Sequence, residues 1–112
     1  MSTPVAAPRI VIASYRPKAG KDAELLALVK EHVPLLRVEG LATYREPVIC
    51  RADDGTVVEV FEWVSAQAIA AAHDNARVQE MWGRFARVSE YVKLGELPEA
   101  KELFAELEPV EL

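Results

Sequence analysis

The sequence has little of what covalent or metal cross-linking of a small domain requires. It contains one cysteine, Cys50, and two histidines in 112 residues. A single cysteine excludes an intrachain disulfide, and His32 and His73 share no metal-ligand spacing. The five glycines are scattered, so no phosphate-binding or dinucleotide-binding loop runs through them. We therefore expect neither a metal nor another cofactor.

Long apolar runs and an excess of positive charge are also missing. No run approaches the roughly 18 apolar residues that a membrane helix needs. The 13 basic residues are outnumbered by 18 acidic ones, whereas nucleic acids and anionic membranes bind basic surfaces. We expect neither as a partner. The first residues show no signal-peptide pattern, which predicts a cytoplasmic protein.

The length and composition are typical of one globular domain. Residues 1–8, rich in proline and alanine, are assigned to a flexible tail and residues 9–112 to the domain. β-branched residues predict a strand over 9–16. Apolar residues at helical spacing predict a helix over 21–37, which contains Pro34 near its end and which Gly40 ends in a left-handed conformation.

Two strands around a tight turn are predicted next. The strand over 43–52 contains Pro47, which removes a ladder hydrogen bond and favours a sheet edge. Asp53-Asp54-Gly55 is typical of a hairpin turn, and a strand over 56–64 follows it. Ser65 is a natural N-cap for a short helix that ends at His73.

A longer helix and a last strand complete the predicted order. After the interruption at Asp74-Asn75, apolar spacing continues to Val92, and Gly95 and Pro98 follow. Alternating polar and apolar residues over 103–109 predict the final strand. The order βαββαβ, with right-handed crossovers, indicates an α+β ferredoxin-like plait with a four-stranded antiparallel sheet.

The third predicted strand is apolar on both faces. Its apolar residues fall on one face (Val58, Val60, Val64) and on the other (Val57, Phe61, Trp63). A half-solvated sheet alternates cleanly, and a bare apolar sheet face is unusual for a monomer. We expect a homodimer in which two sheets pack face to face about a two-fold axis.

Few titratable side chains lie at positions from which they could act as an acid or a base in catalysis. His73, after the alanine-rich helix, is positioned to take a proton at the mouth of a pocket, or simply to favour the helix dipole. His32 lies on the apolar stripe of the first helix, which favours a packing role. For Glu59 and Glu62, a role as base competes with an ion pair to a nearby arginine: Arg16, Arg45 or Arg51.

Aromatic residues are the candidates for substrate binding. Trp63 ends the third strand, and Trp82 lies on the apolar stripe of the long helix. Most tryptophans so placed belong to the core, but either is able to wall a pocket for a flat ligand. Tyr15 and Tyr44 lie at strand ends, where each hydroxyl can point into a cavity.

Several motifs together resemble a known family. The motifs are Arg16-Pro17-Lys18-Ala19-Gly20-Lys21, Val33-Pro34, Glu39-Gly40 before Tyr44, Glu62-Trp63-Val64-Ser65, Ala72-His73, Val78 and Trp82. On these residues the chain resembles, over roughly 9–109, the antibiotic biosynthesis monooxygenase family of dimeric α/β barrels, which includes small quinol monooxygenases. His73 matches a recurring histidine position of that family, and Trp63 matches its strand-end tryptophan.

The resemblance implies an oxygenation that needs no cofactor. A small aromatic or quinol-type substrate is deprotonated in an apolar pocket, its anion passes an electron to dioxygen, and the caged pair recombines. His73 is then the expected catalytic residue, and Trp63, Trp82, Tyr15 and Tyr44 are the expected substrate-binding residues. Two alternatives stay open: a non-catalytic small-molecule binder, and an isomerase or cyclase on the same fold.

Overall fold

The computed structural model describes residues 7–112, so residues 1–6 of the predicted tail lie outside the described part of the chain. In chain order the elements are β1 (Arg9–Pro17), α1 (Asp22–Val38), β2 (Val48–Arg51), β3 (Val57–Trp63), α2 (Ala66–Ala72), α3 (Ala76–Val88), β4 (Ser89–Val92), 3₁₀ turns at Leu94–Glu96 and Pro98–Lys101, and β5 (Glu108–Pro109). None of these helices combines the length and apolar character that crossing a bilayer requires.

The strands form one antiparallel sheet in the order β4-β1-β3-β2-β5. The order β4-β1-β3-β2 is that of a ferredoxin-like plait, and the predicted α+β class is confirmed. The predicted number of four strands is wrong, because β5 pairs with Cys50 and Arg51 of β2. β2 is therefore second from the edge, and β5 covers part of its outer side.

Local capping and turn signals correctly predict several of the element ends. Gly40 and Gly55 have φ angles of 75° and 91°, the left-handed region that glycine enters without steric cost. The Ser65 side-chain oxygen accepts a hydrogen bond from the Ala68 N–H at 3.0 Å and starts α2. Asn75 caps α3 in the same way. These caps separate α2 from α3 and fix the position of the residues between them.

The fourth strand of the plait lies earlier than predicted. Helix α3 ends at Val88, because Ser89 takes an extended conformation (φ −150°) and its hydroxyl donates to the Phe85 carbonyl at 2.8 Å. The chain then pairs with β1, where Tyr91 lies opposite Tyr15. The prediction that the helix continues to residue 92 is wrong, since apolar spacing over so few residues fits a helix and a strand equally.

The predicted last strand over 103–109 is also mostly wrong. Of that range, only Glu108–Pro109 forms a strand. Leu103 and Phe104 are 90% and 82% exposed, so their alternation with polar residues does not reflect a buried sheet face. Leu97 is the residue of the C-terminal segment that is buried most completely.

The second strand is shorter than the predicted 43–52. β2 begins at Val48, directly after Pro47, because the proline ring has no N–H for the ladder. Upstream, the Thr43 N–H donates to the Glu62 carbonyl at 3.0 Å, so the chain still runs along the end of β3. Pro47 therefore starts the paired segment and does not lie inside it.

The inner face of the sheet packs against the helices. Tyr15 of β1 stacks on Phe85 of α3 with ring centroids 4.9 Å apart, and Leu25 of α1 is fully buried in the same cluster. A second cluster joins Phe61 of β3 to Val78 of α3. Residues of both clusters line the site described below.

The outer face of the sheet is only partly covered. Leu97 from the C-terminal segment packs on Cys50, but beyond it the sheet is open. Ile10, Ile12 and Val48, here called the outer sheet patch, are 53%, 47% and 59% exposed. The prediction that both sheet faces are apolar is confirmed.

Candidate functional site

A cavity of about 320 Å³ lies between the inner face of the sheet and the helices. Strands β1 and β3 form its floor, and residues from α1, α3, β4 and the end of α2 form its walls. The lining residues are Val11, Ala13, Tyr15, His32, Phe61, Trp63, His73, Trp82 and Tyr91. The volume falls at the lower end of the roughly 300–1,000 Å³ found for small-molecule sites. Its aromatic walls suit a flat ligand, and its two imidazoles suit one with an acidic hydrogen.

A buried carboxylate lies behind the cavity lining. Glu59 points from the middle of β3 to the inner face and is 0% exposed. Its Oε1 accepts hydrogen bonds from the Tyr15 hydroxyl at 2.7 Å and from His32 Nδ1 at 2.9 Å. Its Oε2 has no partner within residues 7–112. Since an isolated buried charge is strongly unfavourable, the two donors hold Glu59 in its position.

The tautomer of His32 follows from its two partners. Its Nε2 lies 3.1 Å from the Trp82 indole N–H, a group that only donates. Nε2 is therefore the acceptor, and Nδ1 carries the proton that is donated to Glu59. Phe61 and Phe85 meet the imidazole ring edge-on, with centroids 5.3 and 5.1 Å away. A neutral imidazole oriented by a carboxylate is the arrangement in which Nε2 accepts a proton.

Two phenols of the cavity wall are held in their neutral form. Burial raises the pKa of Tyr15 far above its usual value, and the charge of Glu59 and the hydrogen bond to it raise that pKa further. The pKa of Tyr91 is raised by burial first and then by Glu59. Both hydroxyls therefore keep their proton at neutral pH and do not compete with His32 for the proton of a ligand.

His73 lies at the mouth of the cavity. It is the C-cap of α2, and its backbone N–H donates to the Ala70 carbonyl at 3.2 Å. Its ring stands edge-on to Trp82, with centroids 5.2 Å apart. Trp82 thus contacts both histidines, with buried His32 on one side and exposed His73 on the other.

Four of the five site residues expected from sequence meet in this cavity: His73, Trp63, Trp82 and Tyr15. Tyr44 does not line it. Tyr44 is 84% exposed, and the Arg37 guanidinium lies over its ring at 5.5 Å. The chain crosses the surface here before it reaches β2, which is why this hydroxyl does not point inward.

His32 and Glu59, which form a buried pair, are not among the site residues predicted from the sequence. The expected ion pair to an arginine is formed by Glu62, whose Oε2 lies 3.0 Å from Arg45 Nε, whereas the partner of Glu59 is His32. One feature of the sequence could have indicated this pair. Glu59 shares its strand face with Phe61, and a carboxylate on the face beneath a helix needs a buried donor, which His32 on the apolar stripe of that helix provides.

A larger groove of about 970 Å³ between α1 and α3 has no comparable chemistry. Arg84 lies in it, 3.2 Å from Glu80 and 3.7 Å from Glu31, so this guanidinium is already paired at the surface. Among residues 7–112, no three histidine, cysteine or carboxylate side chains cluster as a metal site requires. We therefore assign the candidate site to the aromatic cavity.

A family of known proteins matches most of the chain, including most of the residues that line the cavity. The model of the antibiotic biosynthesis monooxygenase family matches residues 8–83. That range runs from β1 into α3 and contains every lining residue of the cavity except Tyr91. No curated protein matches the chain. Because the family match covers more than half of the sequence, the chain belongs to the antibiotic biosynthesis monooxygenase family.

Proposed function

We propose that the protein is a monooxygenase that oxidises a small hydroxylated aromatic compound, such as a quinol, with dioxygen and without a bound cofactor. The observation that carries the proposal is the cavity, in which aromatic rings surround a space that reaches two imidazoles. Aromatic walls stack on a flat ring, and an imidazole is able to remove a hydroxyl proton. Membership of the family supports the class of reaction.

Apart from a base and an apolar cavity, the proposed reaction requires no further group of the protein. An imidazole takes the hydroxyl proton, and the resulting anion gives one electron to dioxygen. The substrate radical and superoxide form a C–O bond at a ring carbon that bears hydrogen, and the imidazolium returns its proton to the peroxide. Loss of water then leaves a carbonyl, so one oxygen atom enters the quinone and the other leaves as water. An apolar cavity excludes bulk water while the radical pair exists.

We expect protein-dependent oxygen uptake with dihydroxynaphthalenes or anthrols, after autoxidation has been subtracted. Ala13→Phe places a ring in the cavity and should abolish the uptake. Ala23→Phe adds the same ring at an exposed position of α1, outside the cavity lining, and should retain it. An oxygen electrode measures the rates, and mass spectrometry after reaction under ¹⁸O₂ should find one labelled atom in the product. Equal uptake by the two variants would contradict the proposal.

A second candidate function is binding of an aromatic molecule without turnover. It is favoured by one observation: the polar groups deepest in the cavity already have partners. The Tyr15 hydroxyl donates to Glu59, and His32 Nε2 accepts from Trp82. A carrier or sensor would leave these bonds intact and hold its ligand by stacking alone. Tight binding with no oxygen uptake across the panel would identify this function.

We also propose that two copies of the chain associate through the outer sheet patch. Its residues Ile10, Ile12 and Val48 are about half exposed in one protomer, which is costly for apolar side chains in water. A second copy, related by a two-fold axis, covers such a patch with the same patch of its own.

Ile12→Lys is expected to convert a dimer into a monomer. Ile12 is 47% exposed in the protomer, so a lysine is tolerated there by the fold, but not inside an apolar interface. Size-exclusion chromatography with light scattering measures the mass. Val38→Lys, at a 73% exposed position of α1, is the matched control and should leave the dimer intact. A wild-type protein of monomer mass would refute the proposed association.

A further inference from the structure

We propose that His32, backed by Glu59, is the proton acceptor of the cavity, and that a hydroxyaromatic ligand binds its Nε2 in place of the Trp82 indole N–H. The ligand is then held as an anion beside an imidazolium whose other side faces Glu59. This rests on the proposed function, because it identifies the group that takes the hydroxyl proton. It differs from the sequence-based expectation, which assigned that role to His73.

The geometry leaves one nitrogen of His32 available for exchange. Nδ1 is committed to the Glu59 carboxylate at 2.9 Å, and the ring is held by aromatic edges on two sides. Rotation of the ring would break the bond to a fully buried carboxylate, which is a large penalty. Only Nε2 is therefore free to change its partner, and His32 belongs to the cavity lining.

The charge of Glu59 favours proton transfer to His32. The carboxylate is 0% exposed, and among the described ion pairs its partner is His32. While the imidazole is neutral, that carboxylate has donors on Oε1 but, within residues 7–112, neither a counter-ion nor a partner for its Oε2. A proton accepted at Nε2 makes the ring a cation 2.9 Å from Glu59, so ligand deprotonation supplies the missing counter-ion.

Trp82 is the group that a ligand can displace. It is half-buried and lies between His32 and His73, whereas the imidazole beneath it is buried. Its indole N–H makes a neutral hydrogen bond of 3.1 Å to Nε2. A phenolate beside an imidazolium makes a charge-assisted bond, which is roughly twice as strong. The exchange is therefore favourable for a hydroxyl that is acidic enough to give up its proton.

The other titratable groups near His32 do not replace it. Tyr15 of β1 and Tyr91 of β4 are phenols whose pKa values are raised, so both keep their proton at neutral pH and neither acts as a base. Glu59 of β3 has no surface in the cavity lining. Among the described residues that line the cavity, His73 is the one competing base, and it lies on the far side of Trp82. The experiment must therefore distinguish proton transfer to His32 from proton transfer to His73.

The test is anaerobic titration with 4-nitrophenol, whose anion absorbs visible light, at a pH where the free probe is mostly protonated. We expect wild-type protein to bind the probe as its anion. His32→Gln and Glu59→Gln should each reduce the bound anion at least tenfold. Glu62→Gln, the same substitution on the outer face of β3, is the matched control and should keep the signal. Circular dichroism checks that each variant folds.

Trp82→Phe gives a second readout that misfolding does not imitate. Phenylalanine keeps an aromatic wall but removes the N–H that the ligand must displace. We expect the probe to bind Trp82→Phe severalfold more tightly than it binds wild-type protein. Weaker binding by this variant would contradict the exchange at Nε2.

The remaining outcomes are distinct from those of the oxygenase proposal. An anion signal that needs His32 and Glu59, together with no oxygen uptake, keeps this inference and overturns the oxygenase. Oxygen uptake with an anion signal that survives His32→Gln overturns the inference and leaves the oxygenase standing. A signal lost in His73→Gln but kept in His32→Gln, or no binding of the probe by wild-type protein, also overturns it.

Discussion

His32→Leu is expected to lower the free energy of unfolding by about 3–5 kcal/mol, the cost of removing one partner from a buried polar pair. Leucine fills much of the space of the imidazole but has no donor for Glu59. The carboxylate, 0% exposed, would then keep Tyr15 as its donor and nothing else in the described network. Urea unfolding of the variant and wild-type protein at neutral pH measures the difference.

A double-mutant cycle separates this charge effect from lost packing. Glu59→Gln removes the charge and keeps an oxygen that accepts from Tyr15. We expect His32→Leu combined with Glu59→Gln to be more stable than His32→Leu alone, with a coupling energy of about 1–3 kcal/mol, as for groups in one hydrogen-bonded network. If the two losses simply add, the destabilisation arises from packing of the ring and not from the carboxylate it leaves behind.

The parts of the fold that could be predicted are those that local residues determine. Asn75 caps α3, and Gly55 turns the β2–β3 hairpin, each within a few residues of its effect. The end of α3 could not be predicted in this way. Ser89 leaves the helix where the following strand pairs with β1, with Tyr91 opposite Tyr15. That pairing joins distant parts of the chain, and tertiary pairing overrides an apolar spacing that suits either element.

The candidate site likewise contains residues that could be predicted from the sequence and residues that could not. Trp63, Trp82 and His73 could be proposed from sequence, because each belongs to a motif that marks the family. The bond from His32 to Glu59 spans 27 residues of sequence, and the bond from Trp82 to His32 spans 50. Neither spacing is a motif. These partners are chosen by which strand face lies beneath which helix stripe, and that is known only once the helix and the sheet have been placed together.

In the oxygen-uptake assay, His32→Gln is expected to lower kcat by about 10²–10⁴-fold, the range that a positioned general base contributes. Glutamine retains an N–H donor for Glu59, so the variant avoids the buried unpaired charge that leucine creates. What it loses is the basic nitrogen Nε2, because a neutral amide does not take up the hydroxyl proton. The measurement is the rate of oxygen consumption at saturating substrate, with folding checked by circular dichroism.

His73→Gln tests the competing assignment in the same assay. Because His73 lies at the cavity mouth behind Trp82, we expect its loss to cost about tenfold or less, near 1.4 kcal/mol of barrier. A larger loss for His73→Gln than for His32→Gln would mean that the substrate meets His73 first and never displaces the indole. Glu59 acts through His32, so Glu59→Gln added to His32→Gln should cost little further activity, since residues that act as one unit are not additive.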